Sequence, residues 1–434
     1  MQKKQKGLVW FRNDLRVHDN AILAQAVKEN SFVLAVYCFD PRHFEYDTFG
    51  FKKTEKFRAQ FLIETIKELK TNLEKIHIAL VVTMEKPENC IPDLVNQYEI
   101  DQLYFQKEWT PEEVKVEDNC LQKVSNSVRI TTFYDQFLFH PDDIPMAIAA
   151  IPNVFTQFRT ACEKAVAIRP IAQTTAMDLD NLIPNTTTIP TLIDLGFTDF
   201  SDDSRTAFPF CGGENQALNR MQFYLWDSEK LSVYKLTRNG LIGADFSSKF
   251  SPWLANGSIS ARQIYWEIKK YESDVVQNES TYWLIFELIW RDYFKYISMK
   301  NGNSIFKIGG ILDKDYEWKT SKSKIESWIN GTTVEPFVNA NMIELQQTGW
   351  MSNRGRQNVA SYFAKNLLLD WRVGAAYFES MLVDYDVHSN YGNWMYVSGV
   401  GNDPRDRKFN IPLQAKNYDS QSKFQNLWLQ QHLF

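Results

Sequence analysis

The feature that most restricts the fold of this chain is a change of rhythm part-way along it. Through residues 1–135, short runs rich in β-branched and aromatic residues (7–11, 31–39, 77–83, 102–106 and 129–133) alternate with amphipathic stretches. Between the second and third runs, Phe57, Phe61, Leu62, Ile66, Leu69 and Leu73 recur at helical spacing. Apolar strands separated by helices predict parallel βαβ units and an open, doubly wound sheet. Such sheets take ligands outside the carboxyl ends of their strands. No GxGxxG or GxxxxGK[ST] follows any of these strands, which argues against the usual dinucleotide and nucleoside-triphosphate sites.

After this rhythm stops, residues 136–205 hold six of the fifteen prolines and TTT and SDDS runs, which reads as a connector crossing the surface, with a short helix at 155–166. From 206 to 434 strand signals nearly vanish. Helices are expected at 213–227, 261–271, 280–299, 338–347, 356–369 and 375–383, so this region is expected to be an all-α domain. Eleven of the thirteen tryptophans lie in it. The overall charge of −5 argues against nucleic acid, but residues 1–205 carry 23 Lys+Arg against 30 Asp+Glu, and residues 206–434 carry 25 against 23. The second half can therefore present a basic face. Five cysteines without a CxxC pair suit a reducing compartment, and the N-terminus has no apolar signal core, so a cytoplasmic protein is expected. No apolar run is long enough to span a bilayer.

Four segments of the second half could carry chemistry. In YWLIFELIWRDYFKY, Glu287, Trp290 and Arg291 share one face of an apolar helix, where a carboxylate and a guanidinium must pair or bind something polar. In TGWMSNRGRQNVASYF, Asn353, Arg356 and Gln357 share a face beside Arg354; the amides suit the edge of a base or an isoalloxazine, and the arginines suit phosphate. In DYDVHSNYGNWMY, Asp384, Asp386 and Asn390 precede Trp394, while Gly392 permits a close approach. Their spacing hints at a calcium loop, but the glycine and final glutamate of an EF-hand are missing. In TRNGLIGADFSSKFSPWLANG, the hydroxyls of Ser247, Ser248 and Ser251, with Lys249 before a helix, form either a pyrophosphate cradle or a plain capping loop.

These four segments in this order, together with WFRNDLRVHDN at 10–20, resemble the photolyase/cryptochrome superfamily over nearly the whole chain. FPFCGGENQALNRM, TRNGL, SSKFSPWLANG and NRGRQNVASYF look like the DASH-type cryptochromes within it. The resemblance implies an α/β antenna domain at 1–135, a connector at 136–205 and a helical FAD-binding domain at 206–434. It places Tyr234, Ser247, Ser248, Lys249, Phe250 and Ser251 at the FAD phosphates. Arg291, Asn353 and Arg356 would line the pocket, and Phe378, Asp384 and Asp386 would surround ring and ribose. Asn390 would face flavin N5, where an amide offers no acidic proton. Trp394, Trp371 and Trp318 would conduct electrons between flavin and surface, and Glu108 would bind a methenyltetrahydrofolate antenna.

The implied activity is blue-light repair of cyclobutane pyrimidine dimers flipped into a pocket over the flavin. Glu287 and Asn353 would hydrogen-bond the lesion and Trp290 would stack on it, with Arg354 and Arg407 on phosphates. Two positions depart from duplex-repairing photolyases, since Gln357 stands for an apolar methionine and Tyr396 for a second tryptophan. Stacking is worth ~1–3 kcal/mol per base, so a weaker platform points to single-stranded DNA, acted on by a monomer. The alternative is a blue-light photoreceptor or DNA-binding regulator without significant repair. A (6-4) photolyase is disfavoured because Asn353–Arg354 stand where that chemistry places histidine, and an iron–sulfur branch lacks its cysteines.

Overall fold

The structure, a computed structural model, describes residues 5–403 and 405–430. The first region runs β1 (Lys6–Trp10), α1 (Ala21–Glu29), β2 (Phe32–Cys38), α2 (Lys56–Lys75), β3 (Leu80–Thr83), α3 (Pro87–Tyr98), β4 (Gln102–Gln106), α4 (Pro111–Leu121) and β5 (Arg129–Phe133). The five strands form one sheet in the order β3-β2-β1-β4-β5, every pair parallel, as the alternating rhythm predicts. Both faces are covered, which explains why the strands are apolar throughout rather than alternating. Val9, Val33, Ala35 and Tyr37 pack toward α1 and α2. Leu8, Trp10, Leu34 and Val36 pack toward Ile91, Leu94 and Val95 of α3.

The third strand is shorter than expected. His77 adopts a left-handed φ of 62°, and β3 begins only at Leu80. The connector repairs the edge this leaves. Asn181 donates to the carbonyls of Val33 (3.0 Å) and His77 (2.7 Å) and accepts from Val33 N (2.8 Å), and Thr187 Oγ1 accepts from Val82 N (3.1 Å). Leu192 and Leu195 are buried in the same core. The 136–205 segment therefore does more than cross the surface, because unpaired groups at a sheet edge need partners. Its helix, α5 (Phe155–Ala165), packs Phe155, Phe158 and Cys162 into the helical core instead.

Among the described residues the second region forms helices and no β-strand: α6 (Glu214–Gln222), α7 (Tyr234–Thr237), α8 (Ser251–Ala255), α9 (Ala261–Asp274), α10 (Glu279–Asn301), α11 (Lys322–Ile329), α12 (Pro336–Thr348), α13 (Asn353–Ser361), α14 (Trp371–Met381), α15 (Val387–Ser398), α16 (Ile411–Tyr418) and α17 (Lys423–Leu429). The central α10 starts at a capping box, in which Asn278 Oδ1 accepts from Ser280 N and Thr281 N, an arrangement worth ~1 kcal/mol. A buried ionic network joins the two regions. Arg262 reaches Asp19 (2.8 Å) and Asp135 (2.7 Å), Arg16 reaches Asp135 (2.8 Å) and the Gly257 carbonyl (3.0 Å), and Glu214 accepts from Val17 N and His18 N.

Candidate functional site

The site lies among α10, α13, α15 and the loop before α8. That loop is shaped from behind by Arg220 of α6, which donates to the carbonyls of Ala244, Ser247 and Ser248 and pairs with Asp245 at 2.8 Å. The chain turns over at Lys249, whose φ is 64°. The Lys249 side chain is buried, and its Nζ has no hydrogen-bond partner among the described residues. It lies 3.3 Å from the ring centre of Phe246 and 3.9 Å from that of Trp350. Burial pushes its ammonium well below the ordinary lysine value, with Glu344 pulling the other way. Burial likewise pushes Glu344 up to about 8, and its Oε2 is also unpartnered. A buried lysine that no hydrogen bond satisfies, in a loop rich in serine, can take an anion. Ser247, Ser248, Lys249, Phe250 and Ser251 thus fit a pyrophosphate, the group FAD would bring. Tyr234 is buried at the start of α7, its hydroxyl pushed up by burial and by Glu287.

Glu287 accepts hydrogen bonds from Arg238 and from Trp283 Nε1 (3.2 Å). Burial raises its carboxyl and Arg238 opposes the rise. The pair to Arg238 replaces the one available within the helix, to Arg291. Arg291 instead donates to the carbonyls of Gln136 (2.6 Å) and Leu254 (2.9 Å), clamping the connector to α8. Trp290 lies flat on Phe155 (centroids 3.7 Å apart, 10°) and meets Tyr396 edge-on (6.2 Å, 89°). Arg407 donates to the Tyr396 hydroxyl at 3.0 Å and pairs with Asp403.

Helix α13 is capped by Ser352, whose Oγ accepts from Gly355 N (3.0 Å), leaving Asn353 exposed in its first turn. Arg356 holds both oxygens of Asp384 at 2.9 Å. Arg354 donates to Gln357 (2.9 Å) and Asn239 (3.1 Å) and lies over the ring of Tyr418. Asp386 caps α15 through Ser389 N and pairs with Lys295 at 3.0 Å; burial would raise its carboxyl, but Lys295, His388 and Arg291 hold it far below the usual range. One turn on, Asn390 is buried and donates to the Ala375 carbonyl at 3.0 Å, which fixes its amide.

Trp394 packs against Phe378 (5.1 Å) and against Trp328 (6.2 Å). A Cβ on Gly374, one turn after Trp371 in α14, would lie 2.2 Å from the Trp394 ring. Lys319 N donates to Leu368 O (2.7 Å), which ties the half-buried Trp318 to the start of that helix. Trp394 and Trp371 are fully buried and Trp318 is half-buried. Glu108 follows β4, next to β1, where the strand order reverses. It is buried, its carboxyl raised by burial against the pull of Arg12 and Lys295. That is where an open α/β sheet binds ligands. Arg238, Trp283, Lys295, Glu344 and Arg220 were not singled out from the sequence. Each earns its place through a contact from another element, apart from Trp283, which lies one turn before Glu287.

Among the described residues no helix is long and apolar enough to cross a membrane, and no group of three or more His, Cys, Asp or Glu could hold a metal. The DNA photolyase family profile matches residues 7–177, and that for the FAD binding domain of DNA photolyase matches 283–432. A Cryptochrome DASH of Danio rerio is 46% identical over 99% of this chain and 84% of its own length. That of Synechocystis sp. is 45% identical over 97% and 87%. The crystal structure of a Synechocystis sp. cryptochrome superposes with a TM-score of 0.94 at 45% identity, covering 99% of this chain and 89% of that one. A class III photolyase from Agrobacterium tumefaciens gives a TM-score of 0.84 at 26% identity, covering 99% and 87%.

Proposed function

The chain belongs to the photolyase/cryptochrome superfamily and is most like its DASH-type members, and from that premise we propose that it is a light-dependent lyase for cyclobutane pyrimidine dimers in single-stranded DNA. The observation that carries this reading is the placement of Glu287. Its carboxyl is raised by burial and set between a guanidinium and an indole on the same face as Trp290. A carboxyl so placed can hydrogen-bond the carbonyls of a flipped dimer and steady the negative charge that splitting requires. Bound FAD would supply the electron on absorbing light. Lys249 and the serine loop would hold its phosphates, Asp384, Asp386 and Arg356 would flank it, and Asn390 would present an amide with no acidic proton. Glu108 would hold the folate antenna.

Preference for single strands follows from the stacking surface. Phe155 covers one face of Trp290, and Tyr396 stands edge-on to it rather than parallel. With Phe155 flat on it and Phe294 tilted against it at 5.5 Å, Trp290 has one indole face at most to give, and ~1–3 kcal/mol per stacked base offsets little of the cost of opening a duplex. The test is illumination of the reduced protein with a dimer-containing single strand. Wild type restores the monomers, whereas Glu287→Ala loses most of the yield with its flavin still bound. Equal yields from the two proteins contradict the assignment of Glu287. Two buried tryptophans, Trp394 and Trp371, with Trp318 half-buried, favour a second reading, light reception through flavin photoreduction. Photoreduction that Trp394→Phe abolishes, in a protein that repairs nothing, would establish it.

A further inference from the structure

The face of α10 that carries Glu287 and Trp290 continues toward the helix N-terminus as a band of rings. Trp283 and Phe286 precede them at i, i+3, i+4 and i+7 spacing, all four half-buried rather than sunk in the core. The rings touch in succession. Trp283 meets Phe286 at 4.8 Å, Phe286 meets Phe155 at 5.2 Å, and Phe155 lies flat on Trp290.

Each outer ring also carries cations. Lys235 Nζ lies 4.6 Å from the centre of Trp283 and the Arg238 guanidinium 5.4 Å from it, while the Arg159 guanidinium lies 5.3 Å from Phe286. Three carboxylates attend them, Glu279 on Lys235 at 2.8 Å, Glu163 on Arg159 at 3.5 Å and Glu287 on Arg238. Glu279 is 83% exposed, and surface pairs of this kind contribute ~0–1 kcal/mol, so a phosphate can replace it on Lys235. Leu236, beside Lys235, leaves 81% of its surface in water.

Half-buried rings that carry cations are what unpaired nucleotides recognise, since every base has a π face and every linkage a negative charge. We propose that Trp283 and Phe286, with Lys235 and Arg159, form a second nucleotide subsite that stacks the bases flanking the lesion on the same strand. The proposal rests on the reading that DNA approaches Glu287, and it adds a positive source of strand preference, because paired flanking bases cannot offer their faces.

The test is fluorescence anisotropy of the flavin-loaded protein on single-stranded oligothymidylates carrying one dimer, from the bare dinucleotide dimer up to an octamer. Wild type gains about tenfold or more in affinity with length. Phe286→Ala removes about threefold or more of that gain, and Arg159→Gln, in protein that keeps its flavin, flattens the salt dependence by about one unit of log–log slope. The proposal is overturned by a wild-type protein that binds the octamer no better than the dinucleotide. It is equally overturned by variants that keep the full gain and the full salt slope. A length gain that the variants lose, in a protein that repairs nothing, supports the subsite and counts against the repair reading alone.

Discussion

At the residue scale the most informative side chain is Lys249. Its ammonium is held below the ordinary value by burial, with no acceptor within hydrogen-bond reach among the described residues. A phosphate placed against it restores its preference for the proton, so the bound form has the higher pKa. The sign follows: FAD binding takes up a proton, and affinity is full at low pH and falls as pH rises between the free and bound values. Titrations of apoprotein with FAD across this range should show the decline, up to about tenfold per pH unit, and Lys249→Gln should bind more weakly with the decline abolished. An unchanged pH dependence in the variant would remove Lys249 from the phosphate site. The sequence exposed Lys249 as a candidate because serines and a lysine stood before a helix. It could not show Glu344, 95 positions away, or Arg220 behind the loop, since nothing in local spacing brings those side chains together. Glu287 shows the same limit: its helix suggested Arg291 as partner, while the fold supplies Arg238.

At the element scale, strands and long helices were legible because burial on both faces, or on one stripe, leaves a periodic apolar pattern. Helix α15 was not. Asn390, Gly392 and Asn393 interrupt its apolar pattern, and Gly392 is required because a Cβ there would lie 2.3 Å from the Phe294 ring of α10. Its boundaries were nevertheless written in the chain, as the Asp386 cap and the left-handed Gly399 that ends it. The short α11, α16 and α17 carry too few turns to show a period. The contact between α14 and α15 gives a prediction at this scale. Gly374→Ala forces a methyl against a rigid, buried Trp394. Overpacking of ~1–3 kcal/mol should outweigh the ~1 kcal/mol that alanine gains within a helix, lowering the urea midpoint. Flavin photoreduction should slow in the same variant, because Trp394 is displaced. Wild-type stability in the variant would show that the two helices can separate freely.

At the scale of the whole molecule, the two regions are joined by charge as well as by apolar packing. Asp19 and Asp135 of the first region meet Arg262 of the second, and Arg16 closes the group, all four side chains being nearly inaccessible. Such a network has no local sequence signature, although Arg16 and Asp19 lie in the WFRNDLRVHDN segment. Removing one carboxylate leaves buried guanidinium groups without full compensation, so Asp19→Ala should destabilise the fold by ~3–5 kcal/mol. Denaturant unfolding followed by flavin release and by circular dichroism checks this, and a loss below ~1 kcal/mol would mean that solvent reaches the junction. The same junction sets the buried Glu108 of the sheet within electrostatic reach of Lys295 of α10, the helix that carries Glu287. The account as a whole turns on one comparison, the blue-light repair yield of a single pyrimidine dimer presented in a single strand and in its matched duplex. The site described here predicts dimer-free product from the single strand, little from the duplex and none from either in the dark; equal yields from both strands, or none from the single strand, would contradict it.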